Sequence, residues 1–377
     1  MYKNGSESDY LTFGRAYYRH RNGSIAQFAV IDKIGWSFTC PDHFPINFRM
    51  KYGMIPFLII NHRRNIVGKV GFGIIGLGNI APVHAQSIAA TRNTELVSVC
   101  DLIPGRAKKF AKEHGGRPYE DIDEMLACDD VHAVSLCVPS GLRAELAEKV
   151  AKAGKHILSE KPLEITTKKV DRIINAADKA GVLLGCIFQN RFTEDALHIR
   201  KALDQGRFGQ LVLGDAYIKW YRSQEYYDSG AWRGTWKLDG GGALMNQGIH
   251  QIDMLLWYMG DVEKVRAVTG TVAHDGIEVE DIAAVILEFK NGAKGVIEGS
   301  TAIWHGHPAR VEVHGSEGTV VMEEGKICMW EFKKKKPVDK KIQAAMNEES
   351  VLGSGAGDPL AALKIGGHQL QIEDFAK

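Results

Sequence analysis

What this 377-residue chain lacks narrows the reading first. It has no excess of either charge: 47 Lys and Arg stand against 46 Asp and Glu, a formal net charge of +1. Such a balance gives no reason to expect nucleic acid or a membrane surface as partner. No apolar run nears the roughly 20 residues of a membrane helix; the early segment MIPFLII is far too short. A charged-then-apolar leader with a small-residue cleavage site is also missing, so no secretory signal is expected. Cysteine is scarce. The six residues, Cys40, Cys100, Cys128, Cys137, Cys186 and Cys328, are scattered with no CxxC pair. Thiols placed that way are expected to be reduced core residues, and a cytoplasmic location is the matching expectation. What is present is ordinary: 45% hydrophobic and 25% charged residues, in a chain long enough for two domains.

Three zones follow one another. Residues 1–68 are rich in Tyr, Arg, His and Asn without sustained periodicity. They read as an irregular extension, disordered or upstream of the natural start; an arm docking on a partner or neighbouring subunit is the other reading. In residues 69–190, apolar strands (KVGFGIIGLG, ELVSVCD, VHAVSLCVPS, HILSEKPL, LLGCIFQNRF) alternate with amphipathic helices (HAQSIAATRN, GRAKKFAKEHG, RAELAEKVAKAG, TTKKVDRIINAADKAG). That alternation predicts a doubly wound parallel α/β sheet. Residues 191–377 carry one helix, DALHIRKALDQG, and then longer alternating strands joined by turns such as KNGAKG and HGSEGT. They predict an α+β domain with an open, mainly antiparallel sheet. An open sheet suggests face-to-face association, so a homodimer or homotetramer is expected. The basic stretch KKKKPVDKK reads as a solvated loop.

Gly76-Leu77-Gly78-Asn79-Ile80-Ala81 fits G-x-G-x-x-G/A between an apolar strand and a helix. The first glycine permits the tight turn, the second lets backbone approach a pyrophosphate, and the small third residue allows close helix packing. The helix N-terminus offers free N–H groups to phosphate. Asp101 ends the second strand about twenty residues on, where a ribose diol needs a carboxylate. This is a Rossmann fingerprint. A carboxylate repels a 2′-phosphate, and the nearest basic residue, Arg106, stands some distance on; NAD is therefore expected rather than NADP.

Further along, GGGALMNQGIHQID sets Asn246, His250 and Asp253 at spacings of four and three, on one face of a helix. A metal site, a catalytic site and a satisfied polar seam all fit that pattern. One imidazole, one amide and one carboxylate make a poor zinc set. His305 and His307 in WHGHPAR are only two imidazoles, and no metal is expected. SEKPL ends a strand, where ligands of open α/β sheets bind. Lys161 there either stands in the crevice or pairs with Glu160 at the surface.

GLGNIA, Asp101, SEKPL, QNRF, GAWRGTW and GGGALMNQGIHQID occur in an order and spacing that resemble the glucose–fructose oxidoreductase / inositol dehydrogenase (Gfo/Idh/MocA) family, from Lys69 to the C-terminus. YIKWYR, QEYYDSGAWRGTW and GGGALMNQ look most like the branch that oxidises the 3-hydroxyl of UDP-N-acetylglucosaminuronate. The resemblance implies an NAD-dependent dehydrogenase of a small-molecule sugar or nucleotide sugar. Lys161 would hydrogen-bond the reacting hydroxyl and His250 take its proton. Asn246 replaces the Asp of many members; an amide is no base but still contacts sugar hydroxyls. The implied cofactor contacts are Gly76, Gly78, Asn79, Ile80, Asp101, Pro139, Ser140, Glu160, Lys161 and Gln189. Trp232 and Arg233 would touch the cofactor or a neighbouring active site. Lys161, Arg191, Tyr226, Asn246 and His250 are the implied substrate contacts. Tyr226, Tyr227 and Arg222 either meet the sugar or uronate, or form an aromatic cluster that stabilises a long loop. Asp253 either holds the His250 imidazole or caps a neighbouring loop.

Two departures from the family pattern matter. Arg143 stands where the family often has a histidine. The chain ends at GGHQLQIEDFAK, where members usually continue, so a truncated C-terminus is expected, with Leu370, Ile372 and Phe375 opening an apolar face. Part of the nucleotide-binding domain would then lie bare. The competing functions are inositol or other polyol oxidation, an NAD-dependent glycosidase on the same fold, and an inactive cofactor-binding relic.

Overall fold

The computed structural model describes residues 10–19, 25–34, 68–346, 350, 352–357 and 364–377. Its first sheet has six parallel strands, in spatial order Arg117–Tyr119, Thr94–Cys100, Val70–Ile75, Ala133–Leu136, His156–Ser159 and Leu184–Cys186. The central strands read as unbroken apolar runs because helices cover both of their faces; all four residues of Ala133–Leu136 are buried. The short edge strand Arg117–Tyr119 carries no apolar run and gave no sequence signal. From Val70–Ile75 the chain winds outward in one direction, then returns to start Ala133–Leu136 on the other side. The strand order reverses there, and the crevice at the carboxyl ends of those two strands is where the fold receives ligands.

The second sheet has seven strands, in the order Val262–Gly270, Ile282–Phe289, Lys294–Ser300, Leu211–Lys219, Arg310–Gly315, Gly318–Glu323 and Lys326–Phe332. Neighbours are antiparallel except for Lys294–Ser300 beside Leu211–Lys219. Ile282–Phe289 alternates exposed and buried side chains, so one face is packed and the other is open. The helix Ile249–Met259 lies on the packed face; a Cβ at Gly214 would meet Met259 and Leu255 side chains within 3 Å.

Two expectations are corrected by packing. KKKKPVDKK is not all loop: Pro337 opens the helix Pro337–Ala345. Buried Asp339 accepts hydrogen bonds from Arg207, from the Trp330 indole and from the Lys336 backbone N–H at 2.7–2.9 Å. The second correction concerns GGHQLQIEDFAK. Ile365–Phe375 forms a helix that returns to the first sheet and packs on the helix Ala81–Ala90. Ile372 is fully buried, and the Phe375 ring lies 6.3 Å from that of Phe72. This helix covers part of the surface expected to be bare. Only Leu370 of the three apolar residues stays largely exposed.

Residues 1–68 contribute one described element before Gly68, an antiparallel ribbon of Tyr10–Arg19 and Ile25–Ile34. The remainder of the segment, with Cys40, lies outside the described residues. Cys100, Cys137 and Cys186 are free and buried, Cys128 is half-buried, and Cys328 is exposed rather than in the core. No helix among the described residues is long and apolar enough to cross a membrane.

Truncating Phe375 to Ala opens a void against Phe72 and Gly185 in an otherwise close-packed region. It is expected to cost about 3 kcal/mol in denaturant unfolding of the apo protein.

Candidate active site

The glycine loop has the shape its sequence demands. Gly76 sits at φ +87°, where a Cβ would lie 2.7 Å from Val138 and 2.9 Å from the Cys137 carbonyl. At Gly78 a Cβ would meet nothing within 4 Å, leaving open space above the backbone. The helix Ala81–Ala90 starts from Ile80 with no side-chain cap and no acidic residue in its first turn. Its leading N–H groups and positive dipole end suit a phosphate. Buried Asp101 secures this loop, accepting from the Leu77 N–H and the Ile103 N–H, both at 2.9 Å. Arg106 is nearer than its sequence position suggests: its guanidinium donates to Asp101 Oδ2 at 3.3 Å. Pro139 and Ser140 follow the strand Ala133–Leu136, and the Gly141 N–H bonds to the Leu238 carbonyl at 3.0 Å.

Lys161 and the GGGALMNQ segment meet across this crevice. Residues Ala243–Gln247 form a π-helical turn, a rare geometry concentrated at functional sites, before the helix Ile249–Met259 begins. Glu280 substitutes for the missing N-cap, accepting from the N–H groups of Gly242 and Leu244 at 2.9 and 3.0 Å. Gly242 must be glycine, since a Cβ would overlap the Glu280 carbonyl. The turn aims Asn246 at Lys161, whose Nζ donates to the Asn246 carbonyl at 2.9 Å and approaches Oδ1 at 3.5 Å. Asn246 is oriented in turn by buried Asp239, which accepts from its Nδ2 at 2.5 Å and from the Gly234 N–H at 2.9 Å. Burial raises the Asp239 carboxyl to about 6, against the pull of those donors and of Lys161. Burial also lowers the Lys161 ammonium below its usual range, with the Glu160 charge opposing. Burial and the Lys161 charge push His250 down to about 3, so its imidazole is neutral at physiological pH. His250 Nδ1 has no hydrogen-bond partner among the described residues, and the ring meets the Phe188 edge with centroids 5.9 Å apart.

Other expected residues are placed differently. Asp253 does not hold His250. It takes the Arg191 guanidinium in a buried two-point pair at 2.5 and 2.6 Å, with Trp257 stacked 5.3 Å from Arg191. Arg191 is thereby held by the second-domain helix through its Nε and Nη2. Buried Glu160 is bonded to His84 and His368. Gln189 packs against the C-terminal helix at Gly367. Tyr227 is buried with its hydroxyl 2.8 Å from Thr301, and Arg222 is buried with its guanidinium 2.9 Å from Gln247 Oε1. Tyr226 accepts from Gln247 Nε2 at 2.9 Å, and Arg233 lies 4.1 Å over its ring and 4.6 Å from Trp232. Arg143 clamps two loops, donating to the carbonyls of Val138 and Pro162. The rings of His305 and His307 lie side by side, 5.9 Å apart. Asp239, Glu280, His84, His368 and Gln371 were not singled out from sequence; the last four are isolated polar residues whose partners lie far along the chain, and Asp239 bonds across a turn to Gly234 and Asn246.

With this geometry in place, family models match both halves. Residues 70–188 match the oxidoreductase family, NAD-binding Rossmann fold, and residues 196–321 the GFO/IDH/MocA C-terminal domain. The chain belongs to the GFO/IDH/MocA family. It is similar to the inositol 2-dehydrogenase of Rhizobium meliloti, 30% identical over 67% of this chain and 76% of that protein. It is also similar to two crystallised WlbA dehydrogenases in complex with NADH and UDP-GlcNAcA. That of Bordetella pertussis is 37% identical, with a TM-score of 0.71, covering 75% of this chain and 82% of the other. That of Chromobacterium violaceum is 31% identical, with a TM-score of 0.70, covering 85% and 96%. The protein is an NAD-dependent sugar or polyol dehydrogenase, and the open space at Gly78, the uncapped first turn and Asp101 fit the dinucleotide.

Asp101→Ala should weaken NADH binding on the order of tenfold, because a charged acceptor for the ribose is lost. The freed Arg106 should narrow the gap to NADPH; titration of both cofactors checks this. Asp239 gives a second expectation. Its folded pKa of about 6 lies above the ordinary 3.8, so between those values the folded chain holds more protons than the unfolded one. The Asp239 contribution to stability is therefore present at low pH and lost as pH rises through 6. Asp239→Asn should raise Tm at pH 7 while lowering kcat/KM and removing an acid limb near pH 6.

Proposed function

We propose that the enzyme oxidises the 3-hydroxyl of a UDP-linked N-acetyl uronate. The observation that carries the reading is the juxtaposition of Lys161 Nζ with Asn246, beside a neutral His250 whose buried Nδ1 is unpartnered. It is supported by similarity, over most of the chain, to two WlbA dehydrogenases crystallised with NADH and UDP-GlcNAcA. NAD, when bound, supplies the hydride acceptor. The Lys161 ammonium donates to the oxygen of the reacting hydroxyl and stabilises negative charge developing there. The neutral His250 imidazole accepts the hydroxyl proton. Asn246 Oδ1, oriented through the Asp239 bond to Nδ2, accepts from a neighbouring hydroxyl. For the uronate carboxylate the fitting group is Arg233. Its Nε has no partner among the described residues, and its guanidinium is already flattened against Tyr226 and Trp232.

Inositol oxidation is the second reading, favoured by the similarity to inositol 2-dehydrogenases. A ring without a carboxylate would leave Arg233 nothing to bind.

The test is formation of reduced nicotinamide from NAD with UDP-N-acetylglucosaminuronate and, in parallel, with myo-inositol. Lys161→Ala and His250→Ala should each lower kcat by about 10²–10⁴-fold while NADH binding stays near that of the parent. Arg233→Ala should act mainly on KM for the uronate. Turnover of myo-inositol alone would overturn the nucleotide-sugar reading, and aglycone release without net NADH would replace it with a glycosidase.

A further inference from the structure

The helix Ile365–Phe375 carries two buried polar side chains, His368 and Gln371, neither of which faces its own solvent side. His368 Nε2 lies 3.2 Å from Glu160 Oε1, and His84 Nε2, from the helix Ala81–Ala90, lies 2.9 Å from the same oxygen. The other carboxylate oxygen, Oε2, accepts from the backbone N–H of Lys161 at 3.0 Å. Gln371 accepts from the Phe188 N–H at 2.9 Å and donates to the Cys186 carbonyl at 2.7 Å, and Phe188 is the ring against His250.

We infer that this helix is part of the catalytic framework: His368 positions Lys161 through Glu160, and Gln371 positions His250 through Phe188. The inference rests on the roles given to Lys161 and His250 above. Proton bookkeeping supports it. Two imidazoles reach one carboxylate oxygen as donors only if each carries its proton on Nε2. Each Nδ1 is then a bare lone pair, and both Nδ1 atoms are buried without partners among the described residues. With no acceptor at either Nδ1 among the described residues, the geometry favours the Nε2–H tautomer on each ring, donating to Glu160. The charged and titratable groups facing Glu160 are His84, His368, Lys161, Arg143, His250 and the thiols of Cys137 and Cys186. The imidazole hydrogen bonds hold Glu160 well below the usual carboxylate range despite its burial. Its charge opposes the lowering that burial imposes on the neighbouring Lys161 ammonium. Both are positioning residues: neither touches substrate.

The test compares His368→Gln with His368→Asn in the full chain. A Gln amide nitrogen falls where imidazole Nε2 was, whereas that of Asn falls where Nδ1 was and cannot reach Glu160. For His368→Asn, kcat should drop on the order of tenfold, with KM and NADH affinity close to the parent. His368→Gln should restore most of kcat. In the apo parent, NMR should show both imidazoles as neutral Nε2–H tautomers. Parent-like kcat in folded His368→Asn would overturn the inference. A loss that merely follows the fraction of NADH-binding protein would do the same. Stoichiometric zinc in the purified parent, lost with His368→Asn, would replace the hydrogen bonds with a metal and also overturn it. Full activity in Lys161→Ala would instead strike at the catalytic assignment; an inactive Lys161→Ala beside an unaffected His368→Asn strikes at this inference alone.

Discussion

An ammonium withdrawn from bulk water needs a negative charge close by and an acceptor in front of it, and much of this molecule is arranged around meeting that need for Lys161. Its acceptor comes from the second domain, as the Asn246 carbonyl, and its counter-charge from its own neighbour Glu160. Desolvation of a charge is costly unless partners are fixed in place. The partners are fixed from several sides: the first Rossmann helix through His84, the C-terminal helix through His368, and the π turn through Asn246. One strand-ending lysine therefore ties together segments nearly three hundred residues apart.

The glycines of both motifs serve that meeting. Gly76 and Gly78 clear space along one wall of the crevice, while Gly242 brings the π turn hard against the Glu280 carbonyl on the other. Glu280 does the work of a cap for a helix start that carries no capping side chain of its own. Arg143 acts similarly on the Rossmann side. Where the family often has a histidine, this guanidinium bridges the carbonyls of two loops, after the strands Ala133–Leu136 and His156–Ser159. The walls are held by backbone contacts, which keep the polar side chains within the crevice available for chemistry.

Electrostatics then separate the roles of groups that lie side by side. His250 is kept neutral by burial and by the adjacent ammonium, the state in which an imidazole accepts a proton. Asp239, equally buried but less well compensated, carries a raised pKa and sits behind Asn246 rather than at the reacting centre. Asp253, likewise raised to about 6 by burial, takes the Arg191 guanidinium in a two-point pair. Two carboxylates within fourteen residues thus serve a functional amide and a structural guanidinium respectively.

The sequence by itself determined the architecture and the chemical class. Unbroken apolar strands, the GLGNIA turn and Asp101 are local patterns read over a few residues, and each appears where its spacing says. SEKPL and GGGALMNQGIHQID likewise announce a lysine and an imidazole, because a strand end and a helix face are short-range features. What only the tertiary structure decided are the partners. Asp253 lies three residues after His250 on the helix yet turns to Arg191. Glu160 is adjacent to Lys161 but binds imidazoles from residues 84 and 368. The segment GGHQLQIEDFAK looked like an interrupted end and is a helix seated on the first sheet. Hydrogen-bond partners of buried polar groups are chosen by packing between distant segments, and that choice is made only once both cores have closed.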